Sequence, residues 1–187
     1  MEAPADVQKA DAYPEENSDR FRTYLGPLLI LTSIFFVNFI SRIIPAPLLP
    51  KIEADLNISH AQAGSFFLLI SIGYFITLIG SGFVSARLTH RKTIILSCAV
   101  LGFILLGMSF SKGLWGLRMG LLILGMAAGL YLPSGFATFT ANINSKHWGK
   151  AIAIHELAPN LSFVAAPLLA EAVMLLFSWR IAFVFLG

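Results

Sequence analysis

Between Asp55 and Glu156 the chain contains no aspartate and no glutamate. This interval therefore buries no carboxylate, a group that is costly to leave unpaired in an apolar medium. Charge is scarce throughout: 12% of residues are charged and 57% hydrophobic, a balance far from a soluble globular domain and close to a multi-span membrane protein. Cys98 is the only cysteine, so no intrachain disulfide can form. His60, His90, His147 and His155 fall in four separate segments, and no metal-ligand cluster, nucleophile–base pair or phosphate-cradling glycine loop accompanies them. The chain does not read as an enzyme, and neither a metal nor another cofactor is expected. A pI near 9.2 raises the question of nucleic acid. The basic residues, however, lie in short loops between apolar runs rather than on one continuous face, which excludes that partner.

What the chain does have is long apolar runs joined by short basic turns. Ala63 to Val84 and Thr93 to Phe110 carry no acidic residue and are each about the length a helix needs to cross roughly 30 Å of hydrocarbon. Between them lies a junction with Arg87, Arg91 and Lys92 and no carboxylate, a tight hairpin that the retention of cationic loops places on the cytoplasmic side. Residues 1–23 are polar and charged with two prolines, and read as a disordered cytoplasmic tail. From Tyr24 to Gly187 the pattern predicts an all-α bundle of five complete membrane spans and the start of a sixth. Span one runs from Tyr24 past Asn38 and Arg42; the proline-rich stretch from Pro45 to Gln62 forms an external loop. Ser59 with Gln62 makes a capping box for span two. Small residues step along span two at Gly73, Thr77, Gly80, Ser81 and Val84, and along span five at Ala158, Ser162, Ala166 and Ala170, seams that admit a close neighbour. Span four, from about Leu114 to Asn142, carries Gly116 with Gly120 and Gly125 with Gly129. Span five covers 151–177, and span six starts at Ile181. Lys9, Arg20, Arg22, Arg87, Arg91, Lys92, Lys146 and Lys150 fall inside, against Lys51, Lys112 and Arg180 outside. A chain that stops so early in a span reads as part of a transport protein, its second half missing.

The junction resembles a motif of the major facilitator superfamily. That family carries, between its second and third helices, Gly, three residues, Asp, Arg, two residues, Gly, Arg, then Arg or Lys. Gly82, Arg87, Arg91 and Lys92 match; Ala86 stands in place of the Asp and His90 in place of the Gly. In span five, Ala166-Pro167-Leu168-Leu169-Ala170 resembles the Gly-Pro-x-x-Gly-Gly of antiporter-like members, with the proline kept. Gly125, Ala127 and Gly129 resemble the family's Gly-x-Gly helix, although the arginine expected four residues earlier is Leu121. The external segment from Pro50 to Gly64 and the turn at Trp179-Arg180 are also similar. The resemblance implies the N-terminal six-helix half of a secondary transporter in a bacterial inner membrane, its N-terminus cytoplasmic. A small-molecule substrate would bind near the midplane against the missing C-terminal half, with transport by alternating access. In the family the replaced Asp contacts the neighbouring half as part of a gating latch; alanine at 86 implies a weaker latch or one built otherwise.

Arg42 is the sharpest candidate for substrate binding. It resembles the first-helix arginine with which organic-phosphate and carboxylate transporters of the family hold an anion, a task that suits a bidentate guanidinium. The alternative is that the helix ends at Ile44 and Arg42 snorkels to the outer headgroups; depth decides, and if the helix continues through Pro45 and Pro47, as the resemblance implies, Arg42 lies well inside. Asn38, one turn away, either orients the same ligand or bonds a neighbouring helix. Arg118 is a weaker substrate-binding candidate, with snorkelling the competing reading. Glu156 and Glu171 are candidates for a coupling proton, against a reading of Glu156 as an acid at a helix N-terminus. Three functions stay open: organic-anion transport, proton-coupled drug or sugar efflux, and a half-length membrane protein without transport activity.

Overall fold

A computed structural model of the chain describes residues 18–187, with side chains from Phe21 onward. Helix α1 spans Ser18–Ile43 and α2 spans Pro45–Leu56. The first helix thus begins ahead of Tyr24, and the remainder of the expected tail lies outside the described residues. Ile44 alone separates α1 from α2. It keeps helical angles, φ −53° and ψ −31°, and its N–H donates to the Ile40 carbonyl at 2.8 Å. The expected external loop from Pro45 is therefore mostly helix, and the two elements continue as one apolar rod from Phe21 to Leu56. Proline misleads here because in the first turn of a helix its missing N–H has no intrahelical partner to lose. Leu48 and Ile52, one turn apart, point into the core. Asn57 ends α2 in the left-handed region, and Ser59 and Gln62 exchange both bonds of the capping box.

Helix α3, His60–Ser109, has 50 residues, about 75 Å at 1.5 Å per residue and far more than a bilayer can accept. At Thr89 the backbone leaves helical space, with φ 62° and ψ 150°, and the chain reverses. Its neighbour α4, Leu114–Asn142, gives the direction of each arm. Gly125 lies against Ile70 and Gly129 against Tyr74 and Thr77, so arm 60–88 runs parallel to α4. The Ser97 hydroxyl donates to the Ala127 carbonyl at 2.6 Å, and Gly120 faces Met108, so arm 90–109 runs antiparallel. The two arms are thus the expected hairpin. At the crossing a Cβ on Gly73 would run into the Leu122 carbonyl, and one on Gly125 into that of Ile70. A Cβ on Gly80, expected in the same seam, would meet nothing within 4 Å.

A short turn at Ser145–His147 leads to α5, Trp148–His155, then α6, Leu157–Leu176, and α7, Arg180–Leu186. The expected fifth span is therefore met by α5 and α6 together, an apolar rod from Ser145 to Leu176 with a kink at Glu156. Pro159 explains the break: it has no N–H for the His155 carbonyl, and its ring crowds that oxygen. Ala158, Ser162, Ala166 and Ala170 are all fully buried, and the Ser162 hydroxyl reaches the Phe36 carbonyl of α1 at 3.3 Å.

Connections gather at two opposite ends. At one, Arg180 donates to Asp55 at 2.7 Å and to the Ser111 carbonyl at 3.2 Å, while Trp179 donates to the same Asp55 oxygen at 3.2 Å. At the other lie the start of α1, the Thr89 reversal and the 143–148 turn, where Phe21 meets His147 at 5.3 Å between centroids. The described residues contain no strand; they form an all-α membrane bundle.

Candidate functional site

Arg42 sits on α1 opposite the middle of the first α3 arm. Its guanidinium lies 4.5 Å from the centroid of the Phe39 ring and 4.5 Å from that of Tyr74. Tyr74 is equidistant from the two ends of arm 60–88, about 21 Å from each at 1.5 Å per residue. That depth answers the question left by the sequence: Arg42 lies well inside the bundle rather than at the outer rim. Among the described residues no carboxylate pairs with it, and its Nε is buried without an acceptor. A cation at the centre of a membrane helix costs roughly 2.5–3.5 kcal/mol on insertion scales. Each ring face returns about 0.5–2 kcal/mol. The rings therefore offset much of the charge, and the Nε–H is left without an acceptor. The guanidinium opens onto a cleft of about 350 Å³ lined also by Ser71, Phe75 and Phe163, so that α1, α3 and α6 all contribute.

The other candidates do not converge on this cleft. Asn38 is buried, and neither its amide nitrogen nor its amide oxygen has a partner. It lines a separate cleft with Ser33, Cys98, Gly102 and Gly187. Four residues on a helix leave about 40° between side chains, enough here to direct Asn38 and Arg42 to different neighbours. Arg118 donates to the Ser65 hydroxyl at 3.3 Å and stands 5.6 Å from the Trp115 ring centroid. Ser65 lies about 13 Å along the arm from Tyr74, so Arg118 occupies a different level. Glu171 is exposed on the outer face of α6, among Leu168 and Leu175 at 67% and 74% exposure. Glu156 marks the α5–α6 break near the opposite end. Gly82, Arg87, Arg91 and Lys92 are exposed around the Thr89 reversal, and none of the three cations has an ion-pair partner among the described residues. Phe39, Ser71, Tyr74 and Phe163 were not singled out from the sequence; an aromatic in an apolar span carries no mark of which neighbour it will face.

A bundle of apolar helices crossing back and forth, with a half-buried cation beside an aromatic cleft, defines a multi-pass membrane protein. The sequence profile of the Major Facilitator Superfamily matches residues 31–187, and the chain belongs to that superfamily. It is similar to the multidrug resistance protein MdtL of Citrobacter koseri, 29% identical over 137 residues that cover 72% of this chain and 35% of that protein. It is similar also to the inner membrane metabolite transport protein YdjE of Escherichia coli, 26% identical over 123 residues that cover 66% of this chain and 27% of that protein. The matched region thus spans about a third of the length of these relatives, or less.

Proposed function

We propose that this bundle forms one side of the pathway of a secondary transporter, and that Arg42 receives a small organic anion at mid-depth. The observation that carries the reading is the Arg42 guanidinium, cushioned by Phe39 and Tyr74 and lacking a carboxylate. A carboxylate or phosphate on the substrate would satisfy its free N–H groups bidentately, while the aromatic walls would take the apolar part. A second six-helix bundle would close the cleft, and rocking of one bundle against the other would expose it to each side in turn. The names of the relatives support transport of small solutes in general.

Orientation belongs to the same proposal. Arg22, Arg87, Arg91, Lys92, Lys146 and Lys150 collect at the Thr89 end, against Lys51, Lys112 and Arg180 at the other, and the excess marks the cytoplasmic face of an inner-membrane protein.

The test is uptake of a panel of labelled carboxylates and organic phosphates by cells expressing the chain together with its second bundle, comparing wild type with Arg42→Gln. Loss of a buried charge-assisted pair worth about 2–5 kcal/mol lowers uptake by at least about tenfold. Unchanged uptake would remove the anion reading. The name of MdtL supports a second reading, proton-coupled drug efflux; there Arg42→Gln leaves anion movement alone and alters resistance to apolar drugs. The third reading, a half-length protein without transport, requires a stop codon directly after Gly187 and no second-bundle gene beside it.

A further inference from the structure

At the α5–α6 break, His155 is completely buried inside a box of rings. Phe35 of α1 stacks on it at 4.4 Å between centroids, and Phe136 and Phe139 of α4 approach at 5.3 and 5.6 Å. Tyr131, also on α4, lies parallel to it, with its hydroxyl 3.2 Å from Nε2. The proton inventory of this group has one consistent solution. Tyr131 has a single O–H, and it donates to the Leu31 carbonyl at 2.6 Å. The tyrosine oxygen can then only accept from His155, so Nε2 carries a hydrogen. In the neutral ring Nδ1 is left as a bare lone pair. That atom has no hydrogen-bond partner, and it faces the Glu156 carboxylate at 3.6 Å. Two acceptors pointed at each other repel, and one proton between them turns the contact into a charge-assisted bond.

We propose that His155 and Glu156 together form a binding site for a single proton, distinct from the Arg42 cleft. The pair holds net charge −1 when empty and zero when occupied. The proton arrives from solvent through Glu156, whose side chain is 45% exposed, and ends between its carboxyl oxygen and Nδ1. Burial opposes charging the ring, so the facing Glu156 carboxylate is what holds the proton there.

Around the ring, among the described residues, α1 contributes Phe35 and the Leu31 carbonyl. Helix α4 contributes the Tyr131 hydroxyl. Arm 90–109 contributes Cys98, which acts on Tyr131, and His90, whose Nδ1 is 3.5 Å from the Ser134 hydroxyl. Glu156 is the charged group that faces Nδ1. A column of rings joins this site to the cleft: Phe35 meets Phe39 at 5.9 Å between centroids, and Phe39 lies under Arg42. On the transporter reading, the site is where a coupling proton would be held; the binding itself does not depend on that reading.

The experiment is a pH titration by nitrogen NMR of the ¹⁵N-histidine-labelled chain in lipid nanodiscs, for wild type and Glu156→Gln. The His155 signal is assigned by its loss in His155→Gln, or, if that variant does not fold, as the one that remains after His60, His90 and His147 are replaced together. The expected result is a neutral ring protonated at Nε2, and a proton affinity at His155 that falls by about tenfold or more in Glu156→Gln, the effect of removing an opposite charge at this range. A smaller change, or a neutral ring protonated at Nδ1, would overturn the proposal. Glu156 is half-exposed and glutamine has its shape, so the variant keeps the fold. The readout needs no solute movement, so a failed uptake assay leaves this result standing, and a failed titration leaves the Arg42 reading intact.

Discussion

Replacing Gly73 with alanine tests the closest approach in the bundle, where α3 meets α4. The added methyl would fall on the Leu122 carbonyl and within 2.9 Å of the Met126 nitrogen. Both are backbone atoms of a helix, so no side-chain rotation relieves the collision, and the two helices must separate locally. Overpacking of this kind costs about 1–3 kcal/mol, and a rigid backbone neighbour puts Gly73 toward the upper end. Against that, alanine is the better helix former by about 0.8–1 kcal/mol. The net expectation is a loss of about 2 kcal/mol. Gly80→Ala, on the same arm with nothing within 4 Å of the new methyl, keeps only the propensity gain of about 1 kcal/mol. The two variants therefore differ by about 3 kcal/mol in opposite directions, with chemistry and helix held constant. Reversible unfolding in mixed micelles, followed by circular dichroism against the mole fraction of SDS, measures both. Equal stability of Gly73→Ala and Gly80→Ala would refute the close packing of α3 on α4 at Gly73, and with it the parallel placement of the first arm.

Thr89→Gly should stabilise the protein by about 1 kcal/mol in the same assay, since a β-branched residue at positive φ and ψ near 150° stores about 1–3 kcal/mol and glycine returns part of the gain as unfolded-chain entropy; a loss of stability would contradict the sharp reversal there. A cysteine introduced at Thr89 in a Cys98→Ser background should stay unlabelled by an impermeant maleimide in intact cells and react after the membrane is opened; ready labelling from outside would invert the proposed orientation.

Much of the threading was legible in the sequence because apolar length and basic turns answer directly to the bilayer. The capping box at Ser59 and the small-residue face of α6 were legible for the same reason: each is a local pattern whose partner is fixed by spacing alone. The α2 helix was legible only as one of two alternatives, because Pro45 and Pro47 suit a loop and the first turn of a helix equally while Pro50 lies inside the helix, and the tertiary fit of Leu48 and Ile52 decides. Asn38 and Arg42 share a face by periodicity, yet 40° of rotation is enough to give them different cavities. Gly80 belongs to the seam by spacing, yet a methyl added there would meet no neighbour. The setting of Arg42 between Phe39 and Tyr74 depends on residues distant in sequence, and single-chain periodicity identifies a face without naming what covers it. The meeting of the half-exposed Glu156 carboxylate with the buried His155 ring required the packing of Phe35 and Tyr131 to be known.

Arg180 engages the end of α2 through Asp55 and the turn after α3 through the Ser111 carbonyl, with its guanidinium 4.3 Å from the centroid of its neighbour Trp179. One side chain thus rivets three connections of the same rim into a collar.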